Sequence, residues 1–482
     1  MIKDLREYIV ILEREKELLR VKQEIDCNLE ITEIADRTVK AGGPALLFEN
    51  VRGHNYPVLI NAFSSLKRIA LAAGVNDIND ITGRIEGIVN FAPSEGIINT
   101  LASLASLANE LRGVSPKIIR TGSCKEEIHT KDASLDKFPI LKCWPLDRGK
   151  FITFPLVFTK DPESEIRNCG VYRMQVYDER TTGMHWHIHH QGAAHYIKYK
   201  ALNRKMEVAV AIGAPPAAIL AAVAPLPDDF YEMLFAGFLQ KKSIEMVKCE
   251  TIDLEVPAES EIVLEGYVNP GEERVEGPFG DHTGFYSLEE QYPVFHITCI
   301  THRKNPLYHS IIVGRPPTED CYIGKTVERI FLPLIRKQHP EIIDINMPFE
   351  GVFHNLMIVS IKKAYPGHAR KTMNAIWSLG QAMFSKVVIV VDDWVNVHDI
   401  SEVAWVVMNY IDPQRDIQFM MGPVETLEHA TNIPYYGSKM GIDATKKIPG
   451  EGFHRKWPEP ILMEPTVKEK LAPLWEMLVK NF

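Results

Sequence analysis

A chain of 482 residues, 45% hydrophobic and 24% charged, has the composition of a globular protein and length for about three domains of roughly 150 residues each. Its net charge of −9 excludes nucleic acid as the main partner, because a nucleic-acid face needs clustered Lys and Arg. The longest apolar run, residues 214–227, holds four prolines and is too short to cross a bilayer, and the seven scattered cysteines, without a CxxC pair, together with the charged segment Met1–Tyr8 predict a reduced cytoplasm rather than secretion.

Residues 4–22 predict an amphipathic helix, with Leu5, Ile9, Leu12 and Leu19 near helical spacing. A second helix over 29–41 stops at Gly42-Gly43-Pro44. Short strands follow at Ala45–Asn50 and Pro57–Asn61, then a helical stretch over 83–112. From about 116 the texture changes to strands broken by frequent turns. These are expected at 152–159, 170–177, 206–212, 261–268 and 294–301, interrupted by a helix over 230–241. Many strands at this spacing predict a barrel or sandwich. After about 318 helices over 324–337, 367–385 and 400–411 alternate with apolar runs. The run Lys386–Asp393 has the continuous β-branched character of a buried parallel strand, and a helix over 466–480 closes the chain. The expected organisation is a β-rich core, residues 116–317, between α/β units at 1–115 and 318–482.

The segment Glu276-Gly-Pro-Phe-Gly-Asp281-His-Thr-Gly284 sets two carboxylates five residues apart across a turn that no helix can hold. Two acids brought into one pocket are pushed to different pKa values, so that one serves as base or anchor and the other as acid. By itself the segment also fits a solvated Gly-Pro turn. Within Asn168-Cys-Gly-Val-Tyr-Arg173, at the start of a predicted strand, Arg173 would share a face with Val171 and Gln175. An inward Arg needs an anion, in a structural ion pair or a bidentate clamp on a substrate carboxylate. In His185-Trp-His-Ile-His-His-Gln-Gly192, strand alternation would put His185, His187 and His189 on one face and His190 on the other. They could bind a metal, contact a cofactor or be satisfied surface histidines. Glu232 lies among apolar residues of a helix, either buried and in need of a cation or turned to solvent. Gly437-Ser-Lys-Met-Gly441 is expected as a Gly-flanked loop in which backbone amides and Lys439 meet an anion. Arg315 in Gly314–Asp320 is a second anion contact or a structural residue. There is no GxxxxGK[ST] loop, GxGxxG turn or GxSxG elbow, which removes support from nucleotide hydrolysis, Rossmann dehydrogenases and serine hydrolases.

These segments, with Glu261-Ile-Val-Leu-Glu-Gly-Tyr267, Tyr308-His-Ser310 and Gly314-Arg-Pro-Pro317, occur in an order that resembles the UbiD family of prenylated-flavin-dependent decarboxylases over nearly the whole chain. The resemblance implies an α+β fold with a central split β-barrel like that of flavin reductases, flanked by N- and C-terminal α/β domains, in a homodimer or an assembly of dimers. It implies reversible, non-oxidative decarboxylation of an aromatic or α,β-unsaturated acid. The cofactor would be prenylated FMN, supplied by a separate flavin prenyltransferase, with Mn²⁺ and K⁺ bridging its phosphate to the protein. By matching position Asn168, His190 and Glu232 would bind metal. Val171, Tyr172, Arg173, His185, Trp186, His187, His190, Gln191 and Lys439 would contact the cofactor. Arg173, Glu276 and Asp281 match the family's catalytic Arg and acid pair.

The implied roles agree with the chemistry. Loss of CO₂ from an sp² carbon leaves electrons that no side chain accepts, hence an organic electron sink. Arg173 would orient the substrate carboxylate and hold Glu276, while Asp281, its pKa raised by burial, would protonate the carbon left behind. Within the family, Thr181-Thr-Gly-Met-His-Trp-His187 resembles the menaquinone branch. The substrate is thus expected to be a hydroxyaromatic intermediate of quinone synthesis (dihydroxynaphthoate or polyprenyl-hydroxybenzoate), with membrane association if it is prenylated and a degradative aromatic decarboxylase as the alternative. From other classes, an FMN redox protein would not need the Arg173–Glu276–Asp281 set. A His-rich metallohydrolase would work without flavin, and a non-catalytic binding module would bury three charges without a task.

Overall fold

The computed structural model describes residues 2–89, 113–187, 190–226 and 230–480, with side chains omitted at 88 and 89. The first helix is Leu5–Arg14, capped by the Asp4 carboxylate, which accepts from Glu7 N, and buries Leu5, Tyr8, Ile9 and Leu12. It is shorter than its apolar spacing predicts. Lys16 takes a φ of +60°, and the chain leaves as the strand Leu18–Val21, parallel to Ala45–Phe48. The second helix, Glu30–Lys40, and the strands Ala45–Phe48 and Val58–Ile60 lie where the sequence places them. A helix Asn79–Val89 begins ahead of the predicted stretch 83–112, most of which lies outside the described residues.

Strands Leu18–Val21, Ala45–Phe48, Val58–Ile60 and Tyr308–His309 form one four-stranded sheet, the last arriving from far along the chain. Beyond it the fully buried Glu319 carboxylate accepts backbone N–H bonds from Asn61 at 2.8 Å and Phe63 at 2.6 Å. Glu319→Ala strands both donors away from water and lowers unfolding stability by about 3 kcal/mol, checked by urea denaturation; an unchanged midpoint would refute this role.

The central sheet is antiparallel. Its spatial order is Thr181–Gly183, Glu290–His302, Ile262–Glu276, Met206–Ile212, Leu156–Lys160 and Arg167–Val171, with Glu127–His129 added on Glu290–His302. Among the described residues this path is open at Arg167–Val171 and Thr181–Gly183, with no pairing that closes it into a barrel. The predicted strand over 152–159 is interrupted between Phe151–Ile152 and Leu156–Lys160, where Pro155 offers no N–H to a ladder. The one over 170–177 is likewise broken, between Arg167–Val171 and Met174–Gln175. Tyr172 and Arg173 fall in that gap, so the strand alternation expected for Arg173 does not hold. Tyr172 folds back over Gly170, where a Cβ would lie 2.3 Å from its hydroxyl oxygen.

The third sheet has the order Ile342–Asn346, Leu356–Ile361, Val387–Asp392, Tyr436–Asp443, Ile417–Pro423. Val387–Asp392 pairs in parallel on both sides, as its β-branched run predicts. Residues 437–441 are strand rather than loop, because the sheet uses their backbone groups. Helices Glu319–Gln338, His368–Ile376 and Ile400–Tyr410 accompany this sheet; the predicted helix over 367–385 gives way to a 3₁₀ turn at Gly380–Phe384. The final helix, Pro465–Val479, buries none of its side chains. No helix among the described residues is long and apolar enough to cross a membrane.

Candidate active site

The strand Ile262–Glu276 delivers Glu276 at its end, and the chain then turns at Gly277, whose φ is +91°. Gly277 N donates to the Gln175 side chain at 2.9 Å, Phe279 N to Ser287 Oγ at 3.2 Å and Gly280 N to Asp147 Oδ1 at 2.7 Å, so the backbone donors of the buried turn are satisfied. Gly280 lies flat on Trp144, where a Cβ would come within 2.2 Å of the indole. These contacts fix the direction in which Asp281 leaves the turn.

Arg173 reaches into the turn. Its Nε donates to Glu276 Oε1 at 3.0 Å, its Nη1 to Asp281 Oδ2, and its guanidinium carbon lies 4.7 Å from the centre of the Phe279 ring. All three members are nearly sealed from solvent. His185 Nδ1 stands 2.7 Å from Glu276 Oε1. Burial opposes ionisation of Glu276, but His185 and Arg173 outweigh it and hold the carboxyl below its usual range. Asp281 is also buried, and Arg173 and His282 hold its pKa well below that of an ordinary carboxyl. The expected raised pKa is therefore absent: both acids are carboxylates while Arg173 is paired to them. Asp320, whose carboxyl burial pushes up to about 6, faces the same cavity.

His282 donates from Nδ1 to Asp281 Oδ1 at 2.8 Å. Burial lowers its pKa, yet the Asp281 carboxylate raises it to about 9. A His whose pKa is raised on folding contributes stability fully present below its unfolded value and lost as pH rises through 9. In metal-free protein the His282 ring resonances should titrate near pH 9, with loss of stability on the order of 3 kcal/mol above it. A titration midpoint near 6.5 in the NMR spectrum would refute the pairing.

The histidine run does not follow strand alternation. The strand stops at Gly183, and the chain curls so that three rings gather. The His185 and His187 centroids lie 4.4 Å apart, and His190 stacks on His187 at 5.1 Å and 10°. His190 thus joins the other two instead of facing away, and His189 lies outside the described residues. Burial pushes His187 down to about 2, so it is neutral. His190 is the N-cap of the helix Gln191–Ala201 and has its ring centre 5.0 Å from that of Tyr172.

Asn168 and Glu232 are buried near the same tyrosine: burial pushes the Tyr172 hydroxyl up, Asn168 acts against that shift and the Glu232 charge adds to it, while the Asn168 amide donates to Thr159 Oγ1 at 3.4 Å. Glu232 opens the helix Glu232–Gln240 and accepts from Cys169 N at 2.8 Å. Burial pushes its carboxyl up to about 7. Asn168, His190 and Glu232 carry an amide oxygen, an imidazole and a buried carboxyl, donor types that suit a divalent cation. The indole Nε1 of Trp186 is buried without a hydrogen-bond partner, as is Glu276 Oε2.

Arg173, Val171, Tyr172, His185, His187, His190 and Asp281 all line one cavity of about 450 Å³, which the C-terminal segment closes with Phe353, Phe384 and Leu427 among others. Glu276 stands behind Arg173, and Trp186 packs into the core against Tyr196. Lys439 does not line this cavity. Its ammonium donates to the carbonyls of Met383, at 2.5 Å, and Ser385, at 3.1 Å, and burial lowers its pKa to about 8. The side chain of Arg315 is exposed, and Gly284 packs on its backbone, so its expected place as an anion contact has no support. His354, Asp320 and Glu425 also line the cavity: His354 and Glu425 are lone polar residues in segments with no motif, and Asp320 ends the segment Gly314–Asp320, where the sequence points to Arg315 instead.

An Arg held between two carboxylates at the wall of a largely apolar cavity defines an enzyme for acids. Three sequence profiles match the chain: the 3-octaprenyl-4-hydroxybenzoate carboxy-lyase N-terminal domain over residues 9–85, the Rift-related domain of the same enzymes over 117–316, and their C-terminal domain over 321–444. The chain belongs to the UbiD family and is a carboxy-lyase. It is 52% identical over 474 residues to a protein of Archaeoglobus fulgidus, covering 98% of each. Among solved structures it is similar to vanillic acid decarboxylase of Sedimentibacter hydroxybenzoicus in closed form, with TM-score 0.87, 29% identity and 100% of both chains covered. It is also similar to an evolved dimeric form of the UbiD-class enzyme HmfF of Pelotomaculum thermopropionicum in complex with prFMN, with TM-score 0.79 and 29% identity over 98% of this chain and 99% of that one.

Proposed function

We propose that this enzyme uses prenylated FMN to remove CO₂ reversibly from an aromatic or α,β-unsaturated carboxylic acid, a hydroxyaromatic intermediate of quinone synthesis in particular. The observation that carries this is Arg173, buried at the cavity wall and bound to Glu276 and Asp281. Among the described lining residues its guanidinium is the group suited to a bidentate grip on a substrate carboxylate. Val171, Tyr172, His185, Trp186, His187 and Gln191 would hold the flavin. Asn168, His190 and Glu232 would hold Mn²⁺ with K⁺ near the cofactor phosphate, and Lys439 would approach from Tyr436–Asp443. When bound, the prenylated flavin supplies the electron sink that the departing CO₂ requires.

The chain's own groups do the rest. The substrate carboxylate competes with Asp281 for Arg173, which aligns the bond to be broken. Asp281, with less positive charge beside it, gains proton affinity and becomes able to hold the proton that the carbon needs after CO₂ departs. Glu276 stays paired with Arg173 and His185 and fixes the guanidinium. Apolar walls from Phe279, Phe353 and Leu427 keep water from the developing charge.

The central sheet is read here as the family's split barrel, the assembly as a homodimer or an oligomer of dimers in the cytoplasm, and a flavin prenyltransferase as the cofactor's source. Similarity to vanillic acid decarboxylase favours a second reading, in which the substrate is a phenolic acid undergoing degradation. The test is mass spectrometry of the small molecule released from protein co-produced with a flavin prenyltransferase and Mn²⁺, followed by CO₂ release from a panel of naphthoic, hydroxybenzoic and vanillic acids. Prenylated FMN with turnover of dihydroxynaphthoate or a prenylated hydroxybenzoate supports the quinone reading, and turnover of simple phenolic acids alone supports degradation. Plain FMN with electron transfer and no CO₂ release would overturn both.

A further inference from the structure

On the Asp281 oxygen that does not face Arg173 begins a cluster of three side chains outside the sets assigned above to substrate, flavin and Mn²⁺. His282 leaves the Gly-rich turn, His354 follows two residues of positive φ, Val352 and Phe353, and Glu425 lies just past the strand Ile417–Pro423. One ligand atom from each lies within 4.8 Å of the other two, and all three line the main cavity. The hydrogen bonds of the two rings decide what this cluster can do. His282 gives its Nδ1–H to the Asp281 carboxylate at 2.8 Å, and His354 gives its Nδ1–H to the Val352 carbonyl at 2.5 Å. Each ring is thereby left with Nε2 as its remaining nitrogen, from which an incoming ion displaces the proton that metal-free His282 carries at neutral pH. The Nε2 of His354 is buried and has no hydrogen-bond partner. A histidine that donates one N–H to a carboxylate and another that donates to a backbone carbonyl are the two usual outer-shell arrangements of metal-bound imidazole. The Glu425 carboxylate supplies an anionic oxygen beside them.

We propose that His282, His354 and Glu425 form a second divalent-cation site, separate from Asn168, His190 and Glu232, which takes a transition-metal ion of the zinc class. Two imidazoles and a carboxylate match the donor preference of such ions. Ligand atoms around a tetrahedral zinc sit about 3.3 Å apart, so modest inward turns of these side chains complete the coordination. With three protein ligands, a fourth position stays open toward the cavity, where a phenolate or second carboxylate oxygen of the substrate can bind. The ion would also fix His282, and through it Asp281 Oδ1, while Asp281 Oδ2 faces Arg173.

The test uses crystals of the full chain soaked in millimolar zinc chloride, with diffraction recorded on both sides of the zinc absorption edge. An anomalous peak about 2.0–2.1 Å from Nε2 of both His282 and His354 is expected. No peak there, with the two rings joined by a direct hydrogen bond, would overturn the site. In solution, titration with Co²⁺ should show a d–d absorption band that His354→Gln and Glu425→Gln each abolish and Glu232→Gln leaves in place. Asp281→Asn, which removes the carboxylate behind His282, should weaken that band's Co²⁺ affinity by about 10–100-fold. A band that survives His354→Gln and Glu425→Gln when each is combined with Glu232→Gln, which removes the other metal site, would refute the assignment, and if any variant fails to fold the wild-type crystals still decide.

Discussion

Asp281→Asn should lower the decarboxylation rate by about 10²–10⁴-fold while flavin remains bound. The amide keeps the volume of the carboxylate and can still receive a hydrogen bond from Arg173, so the turn and the cavity wall survive. What is lost is a group able to carry a proton to carbon and to compete with the substrate carboxylate for Arg173. The measurement is CO₂ release alongside the absorbance of retained flavin. Turnover within a few-fold of wild type would mean that another acid delivers the proton, with Asp320, already near a pKa of 6 in the same cavity, the first to examine. Loss of flavin together with turnover would instead make Asp281 part of the cofactor's seat.

Gly280→Ala should reduce activity by about 100-fold with every site residue still present. A Cβ at 280 would come within 2.2 Å of the Trp144 ring at Cδ1 and 2.7 Å at Cγ, closer than any real contact. Trp144 cannot retreat cheaply, because its indole N–H is bonded to the Val313 carbonyl at 2.8 Å and its backbone N to Asp147 at 2.8 Å. The strain passes to the backbone that aims Asp281, next in the chain. Overpacking of this kind also costs about 1–3 kcal/mol of stability. Steady-state kinetics with a thermal melt of the same sample checks both effects; full activity would show that the turn relaxes without moving Asp281.

Much of the site was legible because its residues sit in dense motifs. Glu276, Asp281 and the glycines between them stand in nine consecutive positions, and the structure brings Arg173 to both acids. The flanking α/β units were legible where runs were long, as in Val387–Asp392. What failed did so for tertiary reasons. Helical spacing carried the first helix past Arg14, but Leu18 and its neighbours are claimed by the strand Ala45–Phe48. Period-two alternation breaks down over 170–177 and 185–190, where the chain leaves the sheet. Burial alone would raise the pKa of Asp281, and the two cations beside it, Arg173 and His282, reverse the sign. His354 and Glu425 join the site only through the folding of the C-terminal sheet, and no local pattern marks them.

The strand Tyr308–His309 has a consequence for how this enzyme can be divided. Because that pair completes the sheet begun by Leu18–Val21, and Glu319 then binds the backbone at Asn61 and Phe63, the first and last thirds of the polypeptide are stitched together through the middle one. Cutting at the linear borders leaves an N-terminal fragment with an open sheet edge and two unsatisfied buried amides. The three segments are therefore not interchangeable modules: recombination among relatives would keep the fold only if the N-terminal segment travelled with residues 308–319, wherever the substrate-facing C-terminal wall came from.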